Sequence, residues 1–268
     1  MGRLGFVSCA GNFDKRACVL AWKKGSEEAM LLEKLREEVL EANLELVRQG
    51  LVLYTFGNAS GVDREQGLVV IKPSGVAYDE MKPEHMVIAD LEGKIVEGEL
   101  RPSSDLDTHT LLYREFPEIG GVVHTHSEFA TSFAQARLPI PALGTTHADY
   151  FYGPVPVTLP LSDEAIGGRY VHETGLAIVA RFKGEGDSKA IDPMAVPACL
   201  VAGHAPFVWG KTPHDAAHNA VVLEAVARMA YRTVSLEANA IGVSQALLDR
   251  HYFRKHGRDA TYGQGSSS

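Results

Sequence analysis

The run Ile119-Gly120-Gly121-Val122-Val123-His124-Thr125-His126 is the feature that most constrains this chain. Its body is small and apolar, and it follows Pro117, so it reads as a buried strand. Alternate residues of a strand share one side, so His124 and His126 can aim two imidazoles at one point. Neutral imidazole is a common ligand for first-row metals. Taken alone, the pair is equally well read as a metal site or as two polar residues at an exposed strand end.

The rest of the chain alternates strand and helix patterns around this run. Between Glu27 and Gln49, Met30, Leu31, Leu35, Val39, Ala42, Leu46 and Val47 recur at three- and four-residue steps, the pattern of an amphipathic helix stopped by Gly50. Short β-like runs follow at 68–72, 86–90 and 94–98, the last two joined by a Leu91-Glu92-Gly93 turn. Helices are expected over 104–116 and 128–136, a strand over 155–159, a helix around 168–182 and a surface loop over 183–196. Strands at 199–204 and 206–210 precede a long helix over 213–237, with Pro213 at its first position, and a last helix over 244–256. No repeat or long linker divides the chain. The expected fold class is α/β, a single domain with a central, mostly antiparallel mixed sheet flanked by helices.

Composition excludes several functions. A formal charge of -8 and a pI near 5.8 argue against nucleic-acid or anionic-membrane binding, so an anionic ligand must be held by a local site. Apolar runs fall far short of the roughly 18 residues of a membrane span. Cys9, Cys18 and Cys199 match no zinc spacing and form no even disulfide set, so reduced thiols and a cytoplasmic location are expected. Residues 1–29 are read as an extension of unassigned role and residues 265–268 as a flexible tail.

A third metal ligand has two candidates of similar setting, His204 after Cys199-Leu200-Val201-Ala202-Gly203, and His147. His204 is preferred because a buried-type strand delivers it to a turn before Pro206. His218, in mid-helix, reads as a hydrogen-bonded core or interface residue. Asp105, at a helix start, offers a carboxylate. Lys72, Ser74 and Gly75 follow a strand, Ser103 and Ser104 open a helix whose free N–H groups favour a phosphate, and Asn58 sits among glycines. Each piece has an ordinary structural alternative; their coincidence beside a metal candidate points to a phosphorylated substrate.

The segments "FGNASGVDRE", "VIKPSGV", "RPSSDLDTH", "GGVVHTHS", "GTTHADYFYG", "GHAPFVWGK" and "LLDRHYFRKHG...YGQ" together resemble the class II aldolase/epimerase family, and its L-ribulose-5-phosphate 4-epimerase branch in particular. The resemblance covers roughly residues 30–264. It implies a class II aldolase-like α/β/α domain and a homotetramer with active sites at subunit interfaces. It also implies a divalent metal, usually Zn2+, with Mn2+ or Co2+ also accepted by such ligands. It would make Asp105, His124, His126 and His204 the metal ligands. Asn58, Lys72, Ser74, Gly75, Ser103 and Ser104 would surround a phosphate, with Thr145 near the substrate. Asp149 and Tyr262, the latter from a neighbouring subunit, would be the acid/base pair, with His251 beside the tyrosine. The stretch 167–175 departs from the acidic sequence of known epimerases.

Chemistry agrees with that implication. C4 of a ketopentose phosphate carries no acidic proton, so simple deprotonation cannot invert it, whereas cleavage of C3–C4, rotation of the aldehyde and re-addition can. Two proton-transfer groups on opposite faces serve the two epimers.

Overall fold

The computed structural model describes residues 30–185, 189–256 and 260. Cys9, Cys18, the extension 1–29, the tail 265–268 and Tyr262 lie outside the described residues. The chain divides into two units, Met1–Glu33 and Lys34–Ser268, and the fold resides in the second. Its strands are β1 (Asn58–Asp63), β2 (Leu68–Ile71), β3 (Val87–Asp90), β4 (Ile95–Glu97), β5 (Gly121–His124), β6 (Ala198–Leu200) and β7 (Pro206–Gly210). Its helices are α1 (Glu33–Arg48), α2 (Leu106–Glu115), α3 (Glu128–Ala136), α4 (Thr145–Ala148), α5 (Asp163–Gly167), α6 (Tyr170–Lys183), α7 (Pro213–Leu236) and α8 (Gln245–His256).

The strands form one seven-stranded sheet in the order β4-β3-β2-β1-β5-β7-β6. All six pairings are antiparallel, and the parallel component reduces to a single bridge between Val157 and Leu200. Successive residues of β5 serve opposite faces, as the strand period requires. Val123 joins Ala59, Val208 and the apolar stripes of α1, α3 and α7 on one side. Val122 joins Val69, Trp209 and residues of α2 and α6 on the other. Helices therefore cover both faces of the sheet, giving the expected three-layer α/β/α arrangement.

Local chemistry sets the element ends. The Thr212 hydroxyl accepts from the Asp215 N–H (3.1 Å) and Pro213 occupies the first turn of α7, a standard helix start. Arg64, next to β1, donates to the carbonyls of Tyr113 (2.7 Å), Phe116 (3.1 Å) and Ile119 (2.7 Å), closing the exit of α2 and fixing the approach to β5.

Three expectations are corrected. Asn58–Asp63, which no strand pattern had marked, is the central strand β1, although Asn, Gly and Asp are depleted in strands. The strand β5 stops at His124, so His126 lies beyond it. Phe207 pairs with His124, and the next ladder position falls to Pro206, which has no N–H to donate. Residues 155–159 form only isolated bridges, Val155 with Ile140 and Val157 with Leu200, because Pro154, Pro156 and Pro160 remove donors. The run at 199–204 keeps only Ala198–Leu200 as strand before it turns. The helix expected around 168–182 is α6, preceded by the short α5.

Trp209 anchors the α2/α6 face. It is fully buried, donates its indole N–H to the Pro193 carbonyl (2.7 Å) and packs against the rings of Phe116 and Phe182 at 5.4 and 5.1 Å. Trp209→Ala is expected to cost about 3–5 kcal/mol, read as a lowered denaturant midpoint in equilibrium unfolding.

Candidate metal centre and substrate cleft

His124, His126 and His204 converge, with one ligand atom from each lying within 4.8 Å of the others. The Nε2 atoms of His124 and His126 are 3.1 Å apart. Two nitrogens bound to one tetrahedral zinc at 2.0–2.1 Å stand about 3.3 Å apart, so the spacing suits a shared ion. His204 arrives from the turn between β6 and β7, as its setting predicts. Gly203 holds φ +73, a left-handed conformation costly for other residues, and its N–H donates to the Ala134 carbonyl at the end of α3 (2.8 Å). Among the described residues these three histidines form the only such group.

The rings are oriented from behind. His124 Nδ1 donates to the Pro206 carbonyl (3.0 Å), which leaves Nε2 as the bare, ligating nitrogen. Its face stacks on Phe207 with ring centroids 4.2 Å apart. His204 Nδ1 meets the Tyr170 hydroxyl at 3.2 Å. Burial lowers the pKa of all three imidazoles, with the charge of neighbouring histidines adding to it at His126 and His204, and His204 reaches about 4. They are therefore neutral at neutral pH, the state a metal requires.

Asp105 caps α2 and lines the same cleft, but its carboxylate lies outside the compact histidine group. Asn58 Nδ2 donates to Asp105 Oδ2 (2.7 Å) and to Ser103 Oγ (2.9 Å). Burial raises the Asp105 pKa, but interactions with His124 and His109 and the Asn58 hydrogen bond outweigh it, so the pKa is lowered and the carboxylate is ionised at neutral pH. Asn58 Oδ1 is buried and has no partner among the described residues, leaving an acceptor at the cleft. Gly57, at φ +73, brings the chain so near β5 that a Cβ there would lie 3.0 Å from the His124 carbonyl oxygen.

Lys72, Ser74, Gly75, Ser103 and Ser104 line this cleft together. Two backbone hydrogen bonds join their loops, Ser103 N to Lys72 O (2.9 Å) and Ser74 N to Arg101 O (2.8 Å). Lys72 is nearly fully buried, its Nζ donates to the carbonyls of Thr55 (3.2 Å) and Pro73 (3.3 Å), and burial lowers its pKa to about 8. The Lys72 ammonium also lies over the Tyr78 ring (4.8 Å to the centroid), so its partners are carbonyl dipoles and a ring face, and a buried cation without a counter-charge gains from an anion. Thr55, Phe56, Tyr170 and Val171 also line the cleft; no spacing in the sequence marked them.

Other expected residues lie elsewhere. Thr145 begins α4, is exposed, and does not line the cleft. Asp149 follows it, and its carboxylate meets Arg254 (3.0 Å), His251 (3.0 Å) and Lys255 (3.8 Å) of α8. Burial raises its pKa, but these donors and charges outweigh that and keep it ionised. His147 is buried, with Nε2 on the Gly153 carbonyl (2.7 Å), and lines a different cavity; His218 pairs with the Tyr150 hydroxyl (3.1 Å). Neither joins the histidine group.

Three neutral imidazoles above a floor of hydroxyls, amides and one ammonium make a cleft for a divalent metal and an anionic, oxygen-rich ligand. Sequence comparison supplies the family. The chain belongs to the family "Class II Aldolase and Adducin N-terminal domain", whose profile matches residues 37–231. The fold is shared by solved structures. An L-fuculose 1-phosphate aldolase is similar with a TM-score of 0.66 and 23% identity, covering 83% of this chain and 96% of that one. YgbL from Escherichia coli, a putative aldolase/epimerase/decarboxylase, gives 0.64 and 22%, covering 82% and 99%. L-fuculose 1-phosphate aldolase from Glaciozyma antarctica PI12 gives 0.63 and 18%, covering 87% of each. No described helix is long and apolar enough to cross a membrane.

His204→Ala should lower divalent-metal affinity by at least about 100-fold, read by chelator competition. Depressed imidazole pKa values delay proton competition as pH falls. Bound metal should therefore be retained at about pH 6 and lost toward pH 4, checked by metal analysis after dialysis at each pH.

Proposed function

We propose that this chain is an L-ribulose-5-phosphate 4-epimerase that interconverts L-ribulose 5-phosphate and D-xylulose 5-phosphate in pentose catabolism, such as arabinose breakdown. The observation that carries the proposal is the clamped, short carboxylate of Asp105. The family resemblance implies that aldolases of this family carry a proton-shuttling Glu at this position, where this chain has the shorter Asp105. Here a hydrogen bond from Asn58 fixes the ionised Asp105 in the cleft that the histidines also line, which suits a fourth metal ligand and not a mobile proton carrier.

His124, His126 and His204, with Asp105 as a fourth ligand, would hold a divalent metal, expected to be Zn2+, which when bound would supply Lewis-acid stabilisation of negative charge on the ketose fragment. The remaining work falls to side chains. Lys72, with Ser74, Gly75, Ser103 and Ser104, holds the phosphate so that the aldehyde fragment turns without leaving. Asn58 Oδ1 accepts from a substrate hydroxyl. Asp149, ionised, takes the proton of the C4 hydroxyl on one face, and Tyr262 serves the other.

Asp149 does not line the cleft of its own chain, so in this proposal it serves the cleft of a neighbouring copy in a homotetramer, with His251 and Arg254 fixing its carboxylate. The solved aldolases favour a second reading, cleavage of a deoxyketose 1-phosphate such as L-fuculose 1-phosphate. An assay of the metal-loaded protein with both substrates separates them. Epimerisation without free aldehyde supports the proposal; free aldehyde at turnover rates replaces it with the aldolase.

Asp149→Asn and His124→Ala should each be inactive, the first with normal metal content. Mixed oligomers of the two should regain partial activity, because a metal site from one chain meets Asp149 from the other. No recovery in confirmed mixed oligomers would place Asp149 in its own chain's site.

Lys72 gives a pH signature. Because burial lowers its pKa to about 8, the free protein loses this charge as pH rises through that value. kcat/KM for the phosphosugar should fall above about pH 8, and Lys72→Met should raise KM roughly 10- to 100-fold and remove that limb of the profile.

A further inference from the structure

Tyr170 is the one phenol that lines the cleft among the described residues, and no motif carried it there. It is the first residue of α6, and its hydroxyl meets His204 Nδ1 at 3.2 Å. The turn that carries it is fixed. Thr174 Oγ1 donates to the Tyr170 carbonyl (2.9 Å), and Thr108 Oγ1 of α2 donates to the Val171 carbonyl (2.5 Å). Asp105 is the N-cap residue of the same α2, so Tyr170 and Asp105 are held on one joined pair of helices. Tyr170 stays 37% exposed, so its hydroxyl is not spent inside the core.

The hydrogen count at His204 gives this contact a direction. An imidazole that ligates through Nε2 keeps its proton on Nδ1, and that proton needs an acceptor. The Tyr170 oxygen is the acceptor in place, so the phenol's own O–H must turn elsewhere. A phenol oxygen that has accepted one hydrogen bond still has one proton to donate. The open side is the cleft.

We infer that Tyr170 is a ligand-contacting residue. With Nδ1–H of His204 donated to its oxygen, it donates its own proton in a hydrogen bond to a ligand oxygen beside the metal centre. Without metal, the bond can run the other way, from Tyr170 O–H to a bare Nδ1. Metal loading would thus free a donor for the ligand and couple the two binding events. The inference rests on the proposed metal centre but not on which sugar phosphate is turned over.

The test uses the full-length protein loaded with Co2+, with acetohydroxamate as a small oxygen chelator titrated by the visible cobalt spectrum. Wild type is compared with Tyr170→Phe, each at saturating cobalt, with cobalt affinity measured separately by chelator competition. The variant should bind acetohydroxamate about five- to tenfold more weakly, the loss of one hydrogen bond. Equal dissociation constants within about twofold, even with altered cobalt affinity, would overturn the inference and leave Tyr170 as a support of His204 alone. Thermal unfolding of the isosteric variant shows that the fold is kept. A wild-type protein that fails to bind cobalt would instead refute the metal centre itself.

Discussion

The site depends on one row of paired residues across the middle of the sheet. Asn58 of β1 stands opposite His124 of β5, and His124 stands opposite Phe207 of β7. That register puts the His124 face on the Phe207 ring and its Nδ1 on the Pro206 carbonyl, and it brings Asn58 within reach of Asp105. A slip of one residue in β5 would send His124 to the opposite face of the sheet and exchange Val122 for Val123 in the two cores. The hydrophobic packing on both faces therefore helps to specify the ligand geometry, because a one-residue slip would put Val122 and Val123 each on the wrong side.

Around that row, the site is assembled from ends of elements. His124 ends β5, Asp105 caps α2, Tyr170 begins α6, and His204 occupies the turn between β6 and β7. Strand and helix ends carry the backbone groups and side chains that regular structure leaves free, while the elements behind them supply rigidity. Charge is divided accordingly. The ionised Asp105 lies with the neutral imidazoles, and the ammonium of Lys72 lies with the hydroxyls of the facing loops. A ligand with oxygens at one end and an anion at the other fits both halves.

Much of this was legible along the chain. His124 and His126 were marked by their spacing and His204 by its delivery from an apolar run, and Lys72, Ser74, Gly75, Ser103 and Ser104, which lie in separate motifs, line one cleft. What failed to show was where local preference and tertiary context disagree. The strand β1, Asn-Ala-Ser-Gly-Val-Asp, contains one strong strand former, Val62, and is held by neighbours on both sides. Tyr170 looks in sequence like any helical tyrosine. It became a cleft residue only through the packing of α6 on α2, which spacing does not encode.

By itself, the sequence determined the alternation of elements, the three histidines as ligand-type residues, and the polar loops suited to an anion, because these follow from periodicity and side-chain chemistry within short windows. The tertiary structure decided the rest. It ended β5 at His124, since Pro206 opposite the next position has no N–H to extend the ladder. It fixed Asp105 at the cleft through Asn58, and it set Asp149 against α8, away from the cleft of its own chain. These outcomes depend on partners about 47 to 105 positions away in the chain, and no local pattern of residues can state them.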